Sequence, residues 1–271
     1  MTDLGLDYVP GLIAAYRAGF ATDHMHLGYW PDDEALDWPA AQNAMMELHL
    51  DALALRDGLA ITDIGCGLGS SLRVVNARFS DCTLTGVNID PRQLAVCRET
   101  QPQGGNRLHW VQADAAQTTL ADDSQDVVVS LEAMFHFPSR KAFLKEACRI
   151  LRPIGLLVCS DILFSAPQTK LEEACLSVVT KDYAPWPQPL ADISTHQSLA
   201  AQTGFQRAST LDISAQVLPT WQHIVSSRDD PLSSPQAAMR ALHKAGRLHY
   251  IVSHLRKPGD GAQQHPLPKA G

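Results

Sequence analysis

From Leu59 to Leu255, short apolar runs alternate with stretches whose hydrophobic residues recur at helical spacing. Ala60 to Ile64 is a compact apolar run, Ser71 to Phe79 is helical in pattern, and Cys82 to Val87 is rich in β-formers. Pro91 can open the next helix at its first position, running to Thr100, and Leu108 to Val111 gives a third strand ending at Gln112-Ala113-Asp114. The run Asp126-Val127-Val128-Val129-Ser130-Leu131 suits a central parallel strand buried on both faces. Ser139 caps a helix on which Phe143, Leu144, Ala147, Ile150 and Leu151 repeat, and Pro153 and Gly155 stop it before a fifth strand, Leu156 to Asp161. A helix from Ser194 to its stop at Gly204, a strand from Phe205 to Ile213, two helices and a last strand from Leu248 to Leu255 complete the series. Repeated β-α-β units predict an α/β fold with a doubly wound, mostly parallel, seven-stranded sheet, whose ligands bind beyond the carboxyl ends of the strands.

The flanks break this period. Trp38 to Leu55 is an amphipathic helix with Met45, Met46, His49, Leu50 and Leu53 on one face, preceded by the aromatic-rich His24-Met25-His26-Leu27-Gly28-Tyr29-Trp30-Pro31. Between Phe164 and Asp192 the chain carries Pro167, Pro185, Pro187 and Pro189 with Tyr183 and Trp186, too long for an ordinary connection and typical of an active-site lid. The expected organisation is a helical N-terminal cap at 1–56, a ligand-binding core at 57–164, a lid insertion at 165–192, completion of the core at 193–257, and a disordered tail at 258–271.

The turn after the first strand narrows the ligand. Asp63-Ile64-Gly65-Cys66-Gly67-Leu68-Gly69-Ser70 places three alternate glycines where positive φ and the missing Cβ let backbone press on a nucleoside. Ser70 breaks the G-x-G-x-x-G spacing of dinucleotide sites, and no lysine is present for a phosphate loop. This D-x-G-x-G-x-G pattern resembles the first motif of class I S-adenosylmethionine (SAM)-dependent methyltransferases, which are Rossmann-like. The resemblance continues in order along the chain. Thr85 to Asp90 is similar to the family's second-strand segment that meets the ribose hydroxyls, Ala113-Asp114-Ala115 to the segment that meets adenine, and Leu151-Arg152-Pro153-Ile154-Gly155 to its L-R-P-G-G turn. Two positions depart: Asn88 stands where many relatives carry Asp or Glu, leaving the ribose contact to its amide, Asp90 or Gln93, and Ile154 stands where glycine is usual. The resemblance implies SAM as cofactor, held by Tyr29, Trp30, Asp63, Gly65, Cys66, Gly67, Gly69, Asn88, Ile89, Asp90, Gln93, Asp114, Ala115 and Leu131.

Leu27-Gly28-Tyr29-Trp30 with Leu131-Glu132-Ala133-Met134-Phe135-His136-Phe137 is similar to bacterial natural-product methyltransferases, including the branch that modifies sugars on glycosylated antibiotics. In that branch a histidine after the fourth strand and an aspartate closing the fifth flank the acceptor, which implies His136 as general base and Asp161 as its orienting or substrate-binding partner. His136 is equally readable as an ordinary loop residue, and Asp161 as a turn cap. Tyr29, Trp30 and Tyr16 could wall the pocket or simply pin the cap to the sheet. Glu132 suits a developing cation on an alkene acceptor but also a solvated loop.

Composition limits the partners. With 271 residues, a net charge of −7 and no Lys/Arg run longer than a pair, the chain lacks the electrostatic footprint of nucleic-acid binding, and a small-molecule acceptor is expected. No segment reaches the roughly 20 apolar residues of a membrane span, and Met1-Thr2-Asp3 opens with an acid, so a cytoplasmic location away from the membrane is expected. Six scattered cysteines without C-x-x-C spacing read as reduced thiols. No metal is expected either, because His24 and His26 have no ligand cluster beside them. A homodimer is left open. The chemistry expected is O- or N-methylation of a secondary metabolite giving S-adenosylhomocysteine, with C-methylation, cyclisation or other alkylation on the same fold, or a non-catalytic SAM-binding subunit, as alternatives.

Overall fold

The computed structural model describes residues 6–19, 21–31, 36–183, 185–226 and 228–259. Met1-Thr2-Asp3 and all but the first two residues of the expected tail at 258–271 lie outside them. Two helices, α1 (Val9–Arg17) and α2 (Trp38–Asp51), precede β1 (Ala60–Ile64), α3 (Ser70–Arg78), β2 (Thr83–Asn88), α4 (Pro91–Cys97), β3 (Arg107–Gln112) and β4 (Gln125–Ser130). A single 3-10 turn, Met134–His136, leads into α5 (Arg140–Ile150) and β5 (Leu151–Phe164). Beyond β5 come α6 (Lys170–Asp182), α7 (Ile193–Gln202), β6 (Arg207–Asp212), α8 (Ser214–Val217), α9 (Thr220–Ile224), α10 (Pro235–Lys244) and β7 (Leu248–Arg256). The seven strands form one sheet in the order β3-β2-β1-β4-β5-β7-β6, with β1 to β5 parallel and β7 antiparallel to both neighbours.

Strand periodicity divides the core. Val127 and Val129 of β4 and Val158 of β5 face one layer, packed on Met45 and Met46 of α2 and Leu72 and Val75 of α3. Their neighbours Val128, Leu157 and Cys159 face the other, against Phe143, Leu144 and Ala147 of α5. The helices start where side chains satisfy their free N–H groups. Asp37 Oδ1 accepts from Ala40 N at 2.9 Å, Asp90 Oδ1 from Arg92 N at 2.8 Å, and Ser139 Oγ from Ala142 N at 3.2 Å.

Several expected boundaries move for identifiable reasons. The second helix stops at Asp51 and not Leu55, because Ala54 has φ 47°. The helix expected from Ser194 starts one residue earlier, at Ile193, because Asp192 caps α7, its Oδ1 accepting from Thr195 N at 2.6 Å. Two helices are expected between the sixth and seventh strands, whereas α8, α9 and α10 are three. The segment 165–192 contains a helix, α6, that its prolines concealed; Cys175 and Val179 are its buried face, and it packs on α10. The fifth strand is longer than Leu156 to Asp161 at both ends. It runs antiparallel to β7 from Leu156 opposite Arg256 to Phe164 opposite Leu248, and Leu151 already pairs with Gln125. Pro153 and Gly155 fall in its irregular start, where Ile154 takes φ 63° with its side chain 65% exposed. That left-handed backbone is why glycine is usual at this place in similar turns.

A β-branched residue with positive φ is strained, and Ile154 recovers little by burial. Ile154→Gly should therefore stabilise the protein by about 1 kcal/mol, seen as a Tm higher by about 2 °C in calorimetry.

Candidate active site

The chain leaves β1 toward β2 on one side, while β4 takes the position on the other side of β1. Between their carboxyl ends opens a cavity of about 710 Å³. The loop after β1 makes its floor. Gly65, Gly67 and Gly69 have φ of 79°, 53° and 85°. A Cβ on Gly65 would lie 2.4 Å from the Ala133 Cβ, and one on Gly67 would lie 2.9 Å from the Met25 Sδ, so both must be glycine for the loop to meet its neighbours. Gly69 caps α3 behind the floor, against Cys97 and Trp110, and does not line the cavity.

Asp63, the last inward residue of β1, is 1% exposed; its Oδ1 has no partner, and burial pushes its carboxyl up to about 7 against the bond from Ser71. An unpartnered, buried carboxyl oxygen beside a glycine cradle fits a ligand that brings a cationic amine, as SAM does. Asn88, Ile89 and Gln93 line the next part of the wall. Asn88 is partly engaged, its Oδ1 accepting from Asp90 N at 3.0 Å and its Nδ2 donating to Gln93 Oε1 at 3.1 Å. Asp114 and Ala115 continue it from the end of β3; Asp114 Oδ1 accepts from Ala116 N at 2.7 Å. Cys66 and Leu131 also face the cavity. These residues converge, as do Gly65 and Gly67.

Five other expected residues lie outside the cavity lining. Trp30 folds back over Gly28, where a Cβ would be 2.6 Å from its ring, then stacks on His223 at 5.4 Å and donates to Leu36 O; it lies outside the cavity. Tyr29 is pinned through its N–H to Ala41 O at 2.9 Å and packs on the core, also outside. Asp90 spends both carboxylate oxygens on Arg92 and the start of α4. Gly69 is the fourth. The fifth is Asp161, which is fully buried and bridged to Arg140, with Oδ2 2.5 Å from Nε and Oδ1 3.2 Å from Nη2. Neither partner reaches the cavity. Tyr16 does not line it either.

His136 does face the cavity. Its Nδ1 is 2.8 Å from Pro185 O, and because a carbonyl only accepts, Nδ1 carries the hydrogen. Among the described residues no protein group bonds Nε2, which leaves a bare lone pair on the cavity side. Burial lowers the imidazole to about 4, so it is neutral at physiological pH. Three lining residues, His26, Tyr8 and Met25, were not named as site residues in the sequence reading, and Glu132, weighed there as a cation stabiliser, lines the cavity as well. His26 is buried, donates from Nδ1 to Leu27 O at 2.9 Å, and turns an unpartnered Nε2 inward, with burial lowering it to about 3. Glu132 has φ 51°; its Oε2 accepts from Leu27 N at 2.9 Å and from the Tyr250 hydroxyl at 2.8 Å, and burial raises it to about 7. Tyr8 and Met25 enter from the N-terminal segment, where no sequence motif announced them. His24 bonds Asn43 at 2.9 Å, and among the described residues no group of three His, Cys, Asp or Glu could hold a metal. No described helix is long and apolar enough to cross a membrane.

The fold and its switch-point cavity define a class I SAM-dependent methyltransferase, and comparison with known proteins agrees. The methyltransferase domain family matches residues 62–159. Methyltransferase GfsG of Streptomyces halstedii is 32% identical over 231 residues, 82% of this chain and 80% of that protein. The 27-O-demethylrifamycin SV methyltransferase of Amycolatopsis mediterranei is 28% identical over 251 residues, 87% of this chain and 90% of its own. The solved structure of the [4+2]-cyclase SpnF shares the fold, with a TM-score of 0.72 at 18% identity, over 94% of this chain and 95% of that one. The chain belongs to the class I SAM-dependent methyltransferases, and SAM is its cofactor.

Because Asp161 is the counter-ion of a buried arginine, its loss should register first as instability. Asp161→Ala should lower the unfolding free energy by about 3–5 kcal/mol in urea titration, while the double variant Arg140→Met/Asp161→Leu should recover most of it.

Proposed function

We propose that the protein methylates a hydroxyl oxygen of an uncharged small natural product, with His136 as general base. The observation that carries this reading is the neutral His136 imidazole, fixed through Nδ1 and presenting a bare Nε2 to the cavity. Bound SAM supplies an electrophilic methyl group on a sulfonium. The residues Asp63, Gly65, Cys66, Gly67, Asn88, Ile89, Gln93, Asp114, Ala115 and Leu131 are proposed to hold it, with Asp63 on the methionyl amine and Asp114 on the adenine amine. The acceptor oxygen forms its bond to the methyl carbon as its O–H proton passes to Nε2, and the carbon–sulfur bond breaks.

Charge supports the choice of acceptor. Asp23, Asp63, Asp114, Glu132 and Asp182 line the cavity, and no Lys or Arg does among the described residues. Acceptors bearing carboxylate or phosphate would find no cation there. The apolar share of the wall, including Phe135, Phe137, Pro138 and Pro187, suits a hydrophobic skeleton. The rifamycin relative, whose name gives an O-demethyl compound as its substrate, supports oxygen as the acceptor atom. Carbon methylation would need a group to stabilise a cation, and Glu132, though in the cavity, is engaged by Leu27 N and Tyr250.

Incubation with methyl-labelled SAM and uncharged, hydroxylated apolar natural products should yield labelled methyl ethers and S-adenosylhomocysteine; product NMR showing a new carbon–carbon bond would overturn the reading. His136→Ala should cut turnover by about a hundredfold while sparing SAM affinity. SAM binding should also release protons near neutral pH, because a cationic amine favours the ionised form of a carboxyl that burial holds near 7. Affinity should accordingly rise from pH 6 to 7, below the range in which the ligand's own amine loses its charge, and Asp63→Asn should abolish the release, as read by calorimetry in buffers of different ionisation heat.

A further inference from the structure

We propose that the main-chain carbonyl of Pro185, carried on the lid, is the group that orients the His136 imidazole, so that the base is competent only while the lid is seated. The inference rests on His136 being the base and adds what holds it. In most acid–base pairs a carboxylate fixes the tautomer of the histidine. Here Asp161, the carboxylate expected for that role, is bound to Arg140, and the Pro185 oxygen occupies the position at 2.8 Å from Nδ1.

Three sets of contacts place that carbonyl. Trp186 is buried, stacked on Phe135 at 4.3 Å and 25°, and tilted on Phe164 at 5.1 Å. Tyr183 lies parallel to the imidazole, 6.2 Å away at 12°. Beyond them, Arg140 donates from Nη1 to Gln188 O, Phe164 N donates to Pro189 O at 3.1 Å, and Ala191 N donates to Phe164 O at 3.2 Å. Pro185, Pro187 and Pro189 each fix φ, which stiffens the chain between these anchors. The Arg140–Asp161 bridge thus reaches the base indirectly, by holding the lid.

A carbonyl differs from a carboxylate in consequence. It fixes the tautomer without adding a negative charge that would raise the imidazole. Seated, the lid also covers part of the ring, and burial then keeps it neutral to about pH 4. The titratable groups lining the same cavity are Tyr183 on the lid, Tyr8, Asp23 and His26 from the N-terminal segment, Asp182 at the end of α6, Glu132 after β4, and Asp63, Cys66 and Asp114 on the cofactor side. With the lid displaced, water reaches the ring, and its midpoint should return toward about 6.5.

The spectroscopic arm of the test needs no acceptor, and the kcat arm uses the acceptor found by the labelled-SAM incubation. In full-length protein labelled with 15N-histidine and saturated with S-adenosylhomocysteine, His136, assigned by its absence from His136→Gln, should show the Nδ1–H tautomer from pH 5 to 8. Trp186→Ala should mix the tautomers, raise the titration midpoint by one unit or more and lower kcat about tenfold or more, whereas Trp186→Phe should restore the wild-type pattern. S-adenosylhomocysteine affinity should stay within about twofold throughout. An Nε2–H tautomer or a midpoint near 6.5 in the wild type would overturn the proposal, even if Trp186→Ala does not fold. A folded Trp186→Ala with an unchanged tautomer would overturn it as well. The wild-type spectrum stands apart from the His136→Ala assay: loss of the tautomer removes the carbonyl's role, and retained turnover in His136→Ala removes the base itself.

Discussion

The contact between Gly65 and Ala133 sets the geometry of the whole switch point. These residues sit just past the carboxyl ends of β1 and β4, and a Cβ on Gly65 would come within 2.4 Å of the Ala133 Cβ. Only a glycine with φ 79° lets the two exits close on each other there. Because they do, the floor under the cofactor and the turn that carries His136 are built against the same surface. Glu132, next to that contact, is forced into left-handed backbone, where its N–H donates to Ser160 Oγ at 2.8 Å and its carboxyl meets Leu27 N and Tyr250. One buried acid therefore ties the N-terminal segment to β5 and β7 across the top of the sheet. Its burial would be unfavourable without those donors.

The α/β alternation, the glycine turn and the seven strands were readable from the sequence, because period 2, period 3.6 and three spaced glycines are local signals. The lid helix was obscured by prolines that all lie outside it. Asp161 shows where strand reading ran out. It lies three residues before the end of β5, just past the level where β4 ends, and parity gives it the face of Leu157 and Cys159, toward α5, where Arg140 waits. Ser160, one residue earlier, has the opposite face and reaches Glu132. A single-residue step in a strand decides between structural bridge and site.

Other parts were illegible in principle. A main-chain carbonyl has no residue type, so nothing in the letters of Pro185 marks it as a partner for His136. Tyr8, Met25 and His26 reach the cavity through long-range packing of the N-terminal segment, which no local period encodes. Trp30 looked like a pocket aromatic because it neighbours that segment, yet the small Gly28 lets its ring fold the other way.

Charge links these pieces. In the proposed reaction, methyl transfer from a sulfonium to a hydroxyl would begin with one positive charge at sulfur and end with one on the imidazole that takes the proton. Five acidic side chains and no cation line the cavity among the described residues; with Asp23 paired to Arg73 and Glu132 held near 7 by burial, Asp63, Asp114 and Asp182 are the acids left to favour a positive charge at either end of that path. A histidine held neutral by burial does not compete with the sulfonium before reaction, since two cations in one low-dielectric space would repel. A carboxylate partner would have drawn a proton onto the ring in advance; a carbonyl leaves the ring empty until the acceptor supplies one. In the proposed mechanism, the neutral oxygen of Pro185 is thus the partner that suits a base required to start uncharged beside a charged donor.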